Sequence, residues 1–405
     1  MRQPLEGVKV LELSTAGVGP FMGWTLAIWG AEVIRIESEK RPCISRVTLV
    51  YKDNKPGLNR CYLFPIMNWK KRSFGVNLDH PKGLELVKKL VVWCDIMTAS
   101  YSPRVIRKWG LHYDEVKKIK PDIIMVQTSM QGTTGPNADS VGFGPMLKAL
   151  VGFSHLTGWP DRLGTGPQGA YTDFTAPWFG VPALMAGLDY RRRTGKGIFI
   201  DLSQYEAGLH FIAPVIMDCL ANKRIQNRCG NESTYAAPHG VYRCKGDDRW
   251  CAIGVFSDEE WEAFCSTLGH PEWTKEPRFA TLRGRKENET ELNRLVEEWT
   301  VNFTPEEVME KLQTAGIAAS VVADPVDIFD RDTHLKERDF WKVIDHREIG
   351  PFTYCRLPPI LSKVPLETGP APCLGEDNDY VCTEILGISD EEFAEMVADG
   401  VLECV

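Results

Sequence analysis

Residues able to do chemistry fall into three groups along the chain. The first is Ser14-Thr15-Ala16-Gly17-Val18-Gly19-Pro20, a loop of small residues ahead of an apolar run. Such a loop at a helix start exposes backbone N–H groups and suits an anion such as phosphate. It falls short of the Gly-x-Gly-x-x-Gly dinucleotide pattern, because position 22 is Met, and no acidic residue clinches a dinucleotide's ribose contact. The second comprises the basic triplets Lys70-Lys71-Arg72 and Arg191-Arg192-Arg193. These read as solvated loop charges by default, and as contacts to a nucleotide's phosphates in the alternative. The third is Asp173, the lone charge in QGAYTDFTAPWFG. Read locally, an aspartate just ahead of an apolar helix is a capping residue.

Other chemistries find no residues to carry them. The chain has no Walker A pattern and no Gly-x-Ser-x-Gly elbow, which disfavours nucleotide hydrolysis and serine-hydrolase chemistry. His155, His210 and His239 stand apart and read as packed or surface histidines. The twelve cysteines are scattered singly, without a Cys-x-x-Cys, so neither a zinc site nor a disulfide framework is expected.

The elements that must position these residues alternate between strand and helix. Val8 to Leu13 is a strand, the small-residue loop follows, and FMGWTLAIWG is a helix ending at Gly30. Ala31 to Glu37 is a second strand, which completes a βαβ unit with a parallel sheet. A helix over 83–93, strands at 95–97, 122–129 and 198–204, and a buried helix over 174–190 continue the pattern. The fold class is therefore α/β, with a Rossmann-like large domain. After about residue 225 the pattern changes to a hairpin over 240–256 and amphipathic helices near 258–268, 288–300 and 305–314. The expected domains are 1–224, the first part of the large domain, then 225–325, a smaller α+β domain, then 326–405, a return to the large one.

A chain of 405 residues exceeds what one core usually serves, in keeping with two domains. Charged residues at 25% and hydrophobic ones at 43% are ordinary for a globular protein. A net charge of −8 points to neither nucleic acid nor an anionic membrane. The N-terminus lacks the features of a signal peptide, and no apolar run reaches the ~20 residues that cross a bilayer. A cytoplasmic protein is expected.

The order of the segments resembles that of the class III CoA-transferases, the formyl-CoA and carnitine CoA-transferase family that includes the α-methylacyl-CoA racemases. The likeness runs from Pro4-Leu5-Glu6-Gly7-Val8-Lys9-Val10-Leu11 through Gly19-Pro20 and Gly30-Ala31-Glu32-Val33-Ile34-Arg35-Ile36-Glu37. It continues with Asn68-Trp69-Lys70-Lys71-Arg72-Ser73, Asn77-Leu78-Asp79, Gly132-Thr133-Thr134-Gly135-Pro136 and Arg193-Thr194-Gly195-Lys196-Gly197. The resemblance implies that Asp173 is a nucleophile, attacking a thioester to form an anhydride and then an aspartyl-CoA thioester. It also implies contacts to CoA from Ala16, Gly17, Val76, Ser100, Tyr101, Val105, Lys108 and Trp109. CoA and acyl-CoA are then substrates, with no tightly bound cofactor and no metal. Two departures touch these contacts: the family's Asn-Phe is Ser100-Tyr101, and Ser38 stands where an Arg often holds the nucleotide. Lys40, Arg41 or Lys71 are candidates to replace that Arg.

The resemblance further implies an intertwined dimer, either of this chain alone or with a related subunit. Racemization needs a histidine base where this chain has Phe143 in Gly142-Phe143-Gly144, and a side chain that cannot carry a proton disfavours it. A non-catalytic subunit of a heteromeric transferase is the remaining alternative. Trp159, Tyr171, Phe174 and Trp178 suggest a pocket for an aromatic or branched acid, or equally a core. The succinyl-CoA:benzylsuccinate CoA-transferases are the branch this suits.

Overall fold

The computed structural model describes residues 2–48 and 50–404. The chain divides into two compact units.

The first unit takes residues up to 154, 166–226 and those from 337 on. Its order begins β1 (Lys9–Leu13), α1 (Val18–Ile28), β2 (Glu32–Glu37), β3 (Arg72–Gly75) and α2 (Pro81–Trp93). It continues β4 (Ile96–Ala99), α3 (Pro103–Lys108), β5 (Ile124–Ser129), α4 (Tyr171–Thr175), α5 (Pro177–Thr194) and β6 (Ile198–Ser203). The six strands form one sheet in the order β3-β2-β1-β4-β5-β6, and every pairing is parallel. Side chains alternate between faces along each strand. Leu11, Leu13, Ile34 and Phe74 pack with α2 residues Val87 and Leu90 on one side. Val10, Val33, Ile96 and Val126 pack with Met22, Leu26 and Leu184 of α1 and α5 on the other. Burial on both faces explains the near-continuous apolar runs of these strands.

Two elements differ from the sequence reading. β3 was not expected: its Arg72 and Ser73 look like loop residues, and pairing with β2, Ile34 opposite Arg72, makes them a strand. The helix expected over 174–190 is two, because Pro177 starts α5 anew behind Ala176. The tail returns to this unit, with Val76 bridging Leu402.

The second unit comprises 155–165 and 227–336, where the sequence suggested 225–325. Its extra segment is tied by the Gly230 N–H donating to the Gly158 carbonyl at 3.0 Å and by Arg228 donating to the His155 carbonyl at 3.2 Å. Strands β7 (His239–Arg243), β8 (Trp250–Gly254) and β9 (Ala318–Val321) form an antiparallel sheet. Tyr242, Ile253, Trp261, Phe264 and Leu312 build its own core. Among the described residues no helix is long and apolar enough to cross a membrane.

Candidate active site

In an open parallel sheet, ligands bind beyond the carboxyl ends of the strands, where the strand order reverses. Here that point lies between β1 and β4. The loop 14–17 leaves the end of β1 and Ser100 follows the end of β4, so the small-residue loop and one of the expected CoA contacts meet at this crevice. Asp173 joins them from α4.

Asp173 is the third residue of α4, and the cap position is Ala170, which makes no side-chain capping bond. The carboxylate therefore does not serve as a helix cap, contrary to the local reading. It faces Gly17 instead. A Cβ added to Gly17 would lie 2.7 Å from Asp173 Oδ2 and 2.8 Å from its Cβ, closer than atoms pack, so only glycine admits this approach. Burial pushes the Asp173 carboxyl up to about 6, against the opposing pull of the Gly17 N–H. Among the described residues no charged side chain contributes to that shift. The result is a weakly solvated carboxylate with one backbone donor, at the N-terminal end of α1. Such a group is ionised near neutrality and poorly shielded, which suits attack on an electrophilic carbonyl. A Gly17→Ala variant is expected to displace the carboxylate by the width of a methyl group and lower the turnover rate by ~10²-fold. Steady-state kinetics with an unchanged circular-dichroism spectrum would check this.

Beneath the loop lies a buried network of charges. Glu12 of β1 pairs with Arg35 of β2, and its other oxygen lies 2.8 Å from Lys71 Nζ. Arg35 also lies 3.3 Å from Glu37, which binds Arg46 at 2.6 Å. All five side chains are almost wholly buried. Ser14 Oγ donates to Glu12 at 2.6 Å, Arg35 donates to the Ser14 carbonyl at 3.1 Å, and Lys71 donates to the Pro20 carbonyl at 2.7 Å. Burial draws the Lys71 ammonium down to about 8, while Glu12 pulls it up. Burial pushes the Glu37 carboxyl up, but Arg46 and Arg35 outweigh it and hold the group at about 2. The network fixes both ends of the loop, at Ser14 and at the first turn of α1.

This corrects the reading of Lys71 as a solvated loop charge, and removes it as a phosphate ligand. Its neighbours Lys70 and Arg72 bind Glu367 and Asp377, and Arg191 binds Asp95. Sequence reasoning passed over Glu12, Arg35, Glu37 and Arg46. The signal was available in VLEL and VIRIE: charges inside strands that a parallel sheet buries on both faces must be paired.

A cavity of about 230 Å³ opens beside the end of β2, lined by Ser38, Arg41, Asn77, Tyr101, Val105 and Trp109 among others. Tyr101 and Trp109 meet edge to face with centroids 5.1 Å apart. The structure thus brings together three of the expected CoA contacts, and adds Arg41, whose guanidinium pairs with Asp79 at 2.8 Å. Others lie elsewhere. Val76 is wholly buried in the core, and its N–H donates to the Glu37 carbonyl at 2.8 Å; Asn77 and Leu78 line the cavity in its place. Lys108 is exposed in the last turn of α3. Ser100 is engaged with Thr15. Ala16 and Gly17 sit in the loop, Ala16 with a left-handed φ of 60°.

Phe143 is exposed at the start of the helix Gly144–Val151. A larger cavity, about 590 Å³, lies within the second unit against β7 and β8, and His239 lines it. The ring's Nδ1 is occupied at 2.6 Å by the Asn231 carbonyl. Among the described residues no group of three or more His, Cys, Asp or Glu side chains is placed to hold a metal ion.

Comparison with known proteins places these features in context. The family model for CoA-transferase family III matches residues 5–378. Succinyl-CoA–D-citramalate CoA-transferase of Chloroflexus aurantiacus is 31% identical, covering 99% of this chain and 98% of its own. The beta subunit of succinyl-CoA–L-malate CoA-transferase from the same organism is 27% identical, with 98% of each covered. The crystal structure of a CAIB/BAIF family protein from Brucella suis superposes with a TM-score of 0.85 at 29% identity, covering 95% of this chain and 100% of that one.

Proposed function

The chain belongs to CoA-transferase family III and is an enzyme of that kind, and on that premise we propose that Asp173 carries CoA from a succinyl-CoA-like donor to an acid acceptor. The observation that carries this reading is the half-buried carboxylate held against Gly17 with, among the described residues, no charged partner. An Asp173 oxygen attacks the thioester carbonyl, the C–S bond breaks, and CoA leaves as thiolate. The thiolate then attacks the Asp173 acyl carbon of the mixed anhydride and expels the donor acid, leaving an aspartyl-CoA thioester. The acceptor carboxylate attacks that thioester, releases the thiolate, and forms a second anhydride. Attack of the thiolate on the acceptor's acyl carbon yields the new acyl-CoA and returns the Asp173 carboxylate. The cycle balances without a cofactor or metal.

Backbone N–H groups at the start of α1, next to Gly17, are the donors for the developing oxyanions. The Tyr101–Trp109 cavity takes one end of CoA, being smaller than the ~300–1,000 Å³ that encloses a drug-sized ligand. Arg41 offers it a positive charge where Ser38 cannot. The free thiols along the chain support a reducing, cytoplasmic setting. Exposed Phe143, Met146, Trp178, Phe211 and Met217 support a second chain covering these side chains. That chain is another copy or a related subunit; the Chloroflexus relative is named as a beta subunit.

The acceptor we propose is an acid with an apolar, aromatic body, such as benzylsuccinate. Phe21 meets Phe174 at 6.1 Å and Trp178 at 6.0 Å beside Asp173. With succinyl-CoA as donor, kcat/KM for benzylsuccinate is expected to exceed that for D-citramalate by tenfold or more, the ~1.4 kcal/mol or above that burying part of a phenyl ring supplies. A preference for D-citramalate would overturn this choice of acceptor and leave the role of Asp173 standing.

A further inference from the structure

The loop that presents Gly17 to Asp173 has one residue in a conformation that side chains resist. Ala16 has φ 60°, a left-handed geometry that is unfavourable for a non-glycine residue and persists only where the surroundings enforce it. On its N-terminal side Ser14 is locked by Glu12 and Arg35. Between them stands Thr15, and among the described residues one side chain holds its backbone. Ser100 Oγ accepts from the Thr15 N–H at 3.0 Å and donates to the Thr15 carbonyl at 3.0 Å. Ser100 is itself anchored, its N–H donating to the Leu13 carbonyl at 3.1 Å. A serine hydroxyl has one proton, and here it is spent on Thr15. It is not free to donate to CoA.

We infer that Ser100 is a positioning residue for the nucleophile: by clamping both polar groups of the Thr15 backbone it holds Ala16 left-handed and so aims the Gly17 N–H at Asp173. This rests on the reading of Asp173 as nucleophile. Loss of the clamp lets the loop relax to ordinary backbone angles and turns the Gly17 N–H away. The carboxylate then loses its one donor, and the acidic limb of the pH profile moves to higher pH.

The test is Ser100→Ala, followed by kcat, by kcat/KM against pH and by calorimetric titration with CoA. The expected result is a fall in kcat on the order of 10–10²-fold, an acidic limb displaced upward, and a CoA Kd within about twofold of wild type, a change of under ~0.5 kcal/mol. A CoA Kd weakened tenfold or more with an unmoved limb would make Ser100 a ligand contact and overturn the inference. So would a lower Tm with limb and Kd both unmoved. Should Ser100→Ala not fold, Ser100→Cys carries the same test, because a thiol is close in size and a weaker hydrogen-bond former. Wild-type enzyme that turns over without any adduct on Asp173 would remove the premise. An adduct on wild type with an unmoved limb in the variant would remove this inference alone.

Discussion

Asp173→Asn is expected to lower CoA transfer by on the order of 10³–10⁶-fold, the range seen when a covalent nucleophile is removed. The amide keeps the size of the carboxylate and its contact with the Gly17 N–H, so folding and CoA binding should survive. What is lost is the negative oxygen that forms the anhydride. The pH dependence of the native enzyme carries the same message. Burial raises the folded-state pKa of Asp173 from 3.8 to about 6, and only the deprotonated form attacks. Activity should therefore fall as pH drops through about 6, two units above where an ordinary aspartate would impose it. Rates measured between pH 4.5 and 8 check the limb. An Asp173→Asn protein that keeps full transfer with a natural partner subunit would assign this chain a supporting role instead.

Glu12→Ala is expected to cost about 3–5 kcal/mol of stability, the effect of removing one partner from a buried ion pair. Glu12 is wholly buried and answers Lys71 and Arg35 together. Arg35 retains Glu37, but Lys71 is left, among the described residues, with the neutral Asn68 side chain and Pro20 carbonyl as its hydrogen-bond partners. A fall in Tm of roughly 5–10 °C would follow for a unit of this size. The double change Glu12→Gln with Lys71→Met should cost less than Glu12→Ala, because no charge is then stranded. Differential scanning calorimetry at pH 7 decides it. A shift under about 1 °C, as at an exposed pair, would contradict the burial of this network.

Much of this molecule was legible in its sequence, and the parts that were not share a cause. β1, β2 and β5 stand out because burial on both faces demands apolar runs with turn residues at their ends, and the half-buried edge strand β6 still reads as an apolar run. β3 does not, since Arg72-Ser73-Phe74-Gly75 becomes a strand through pairing with β2 and has no pattern of its own. The segment 155–165 belongs to the second unit through contacts with residues 228 and 230, which no local signal announces. At the site, the small-residue loop and the lone carboxylate were each visible. That they touch depends on the sheet order, which brings the ends of β1 and β4 together and lays α4 beside α1. Tyr101, Val105 and Trp109 stand four residues apart along α3 and its two flanks, a spacing that puts them on one side, and they line one cavity. Val76 and Lys108, contacts that the resemblance implies, are placed by packing that the sequence does not display: Val76 is wholly buried while Asn77 lines the cavity, and Lys108 is exposed. The charges of Glu12, Arg35 and Glu37 were in plain view within apolar strands, and their pairing needed the β1–β2 register to be seen.

The most direct measurement is mass spectrometry of the protein after brief incubation with succinyl-CoA, followed by proteolysis to locate the modification. A CoA thioester is expected on the peptide containing Asp173, absent from Asp173→Asn and discharged when an acceptor acid is added. Turnover without any covalent intermediate, or an adduct on another residue, would contradict it.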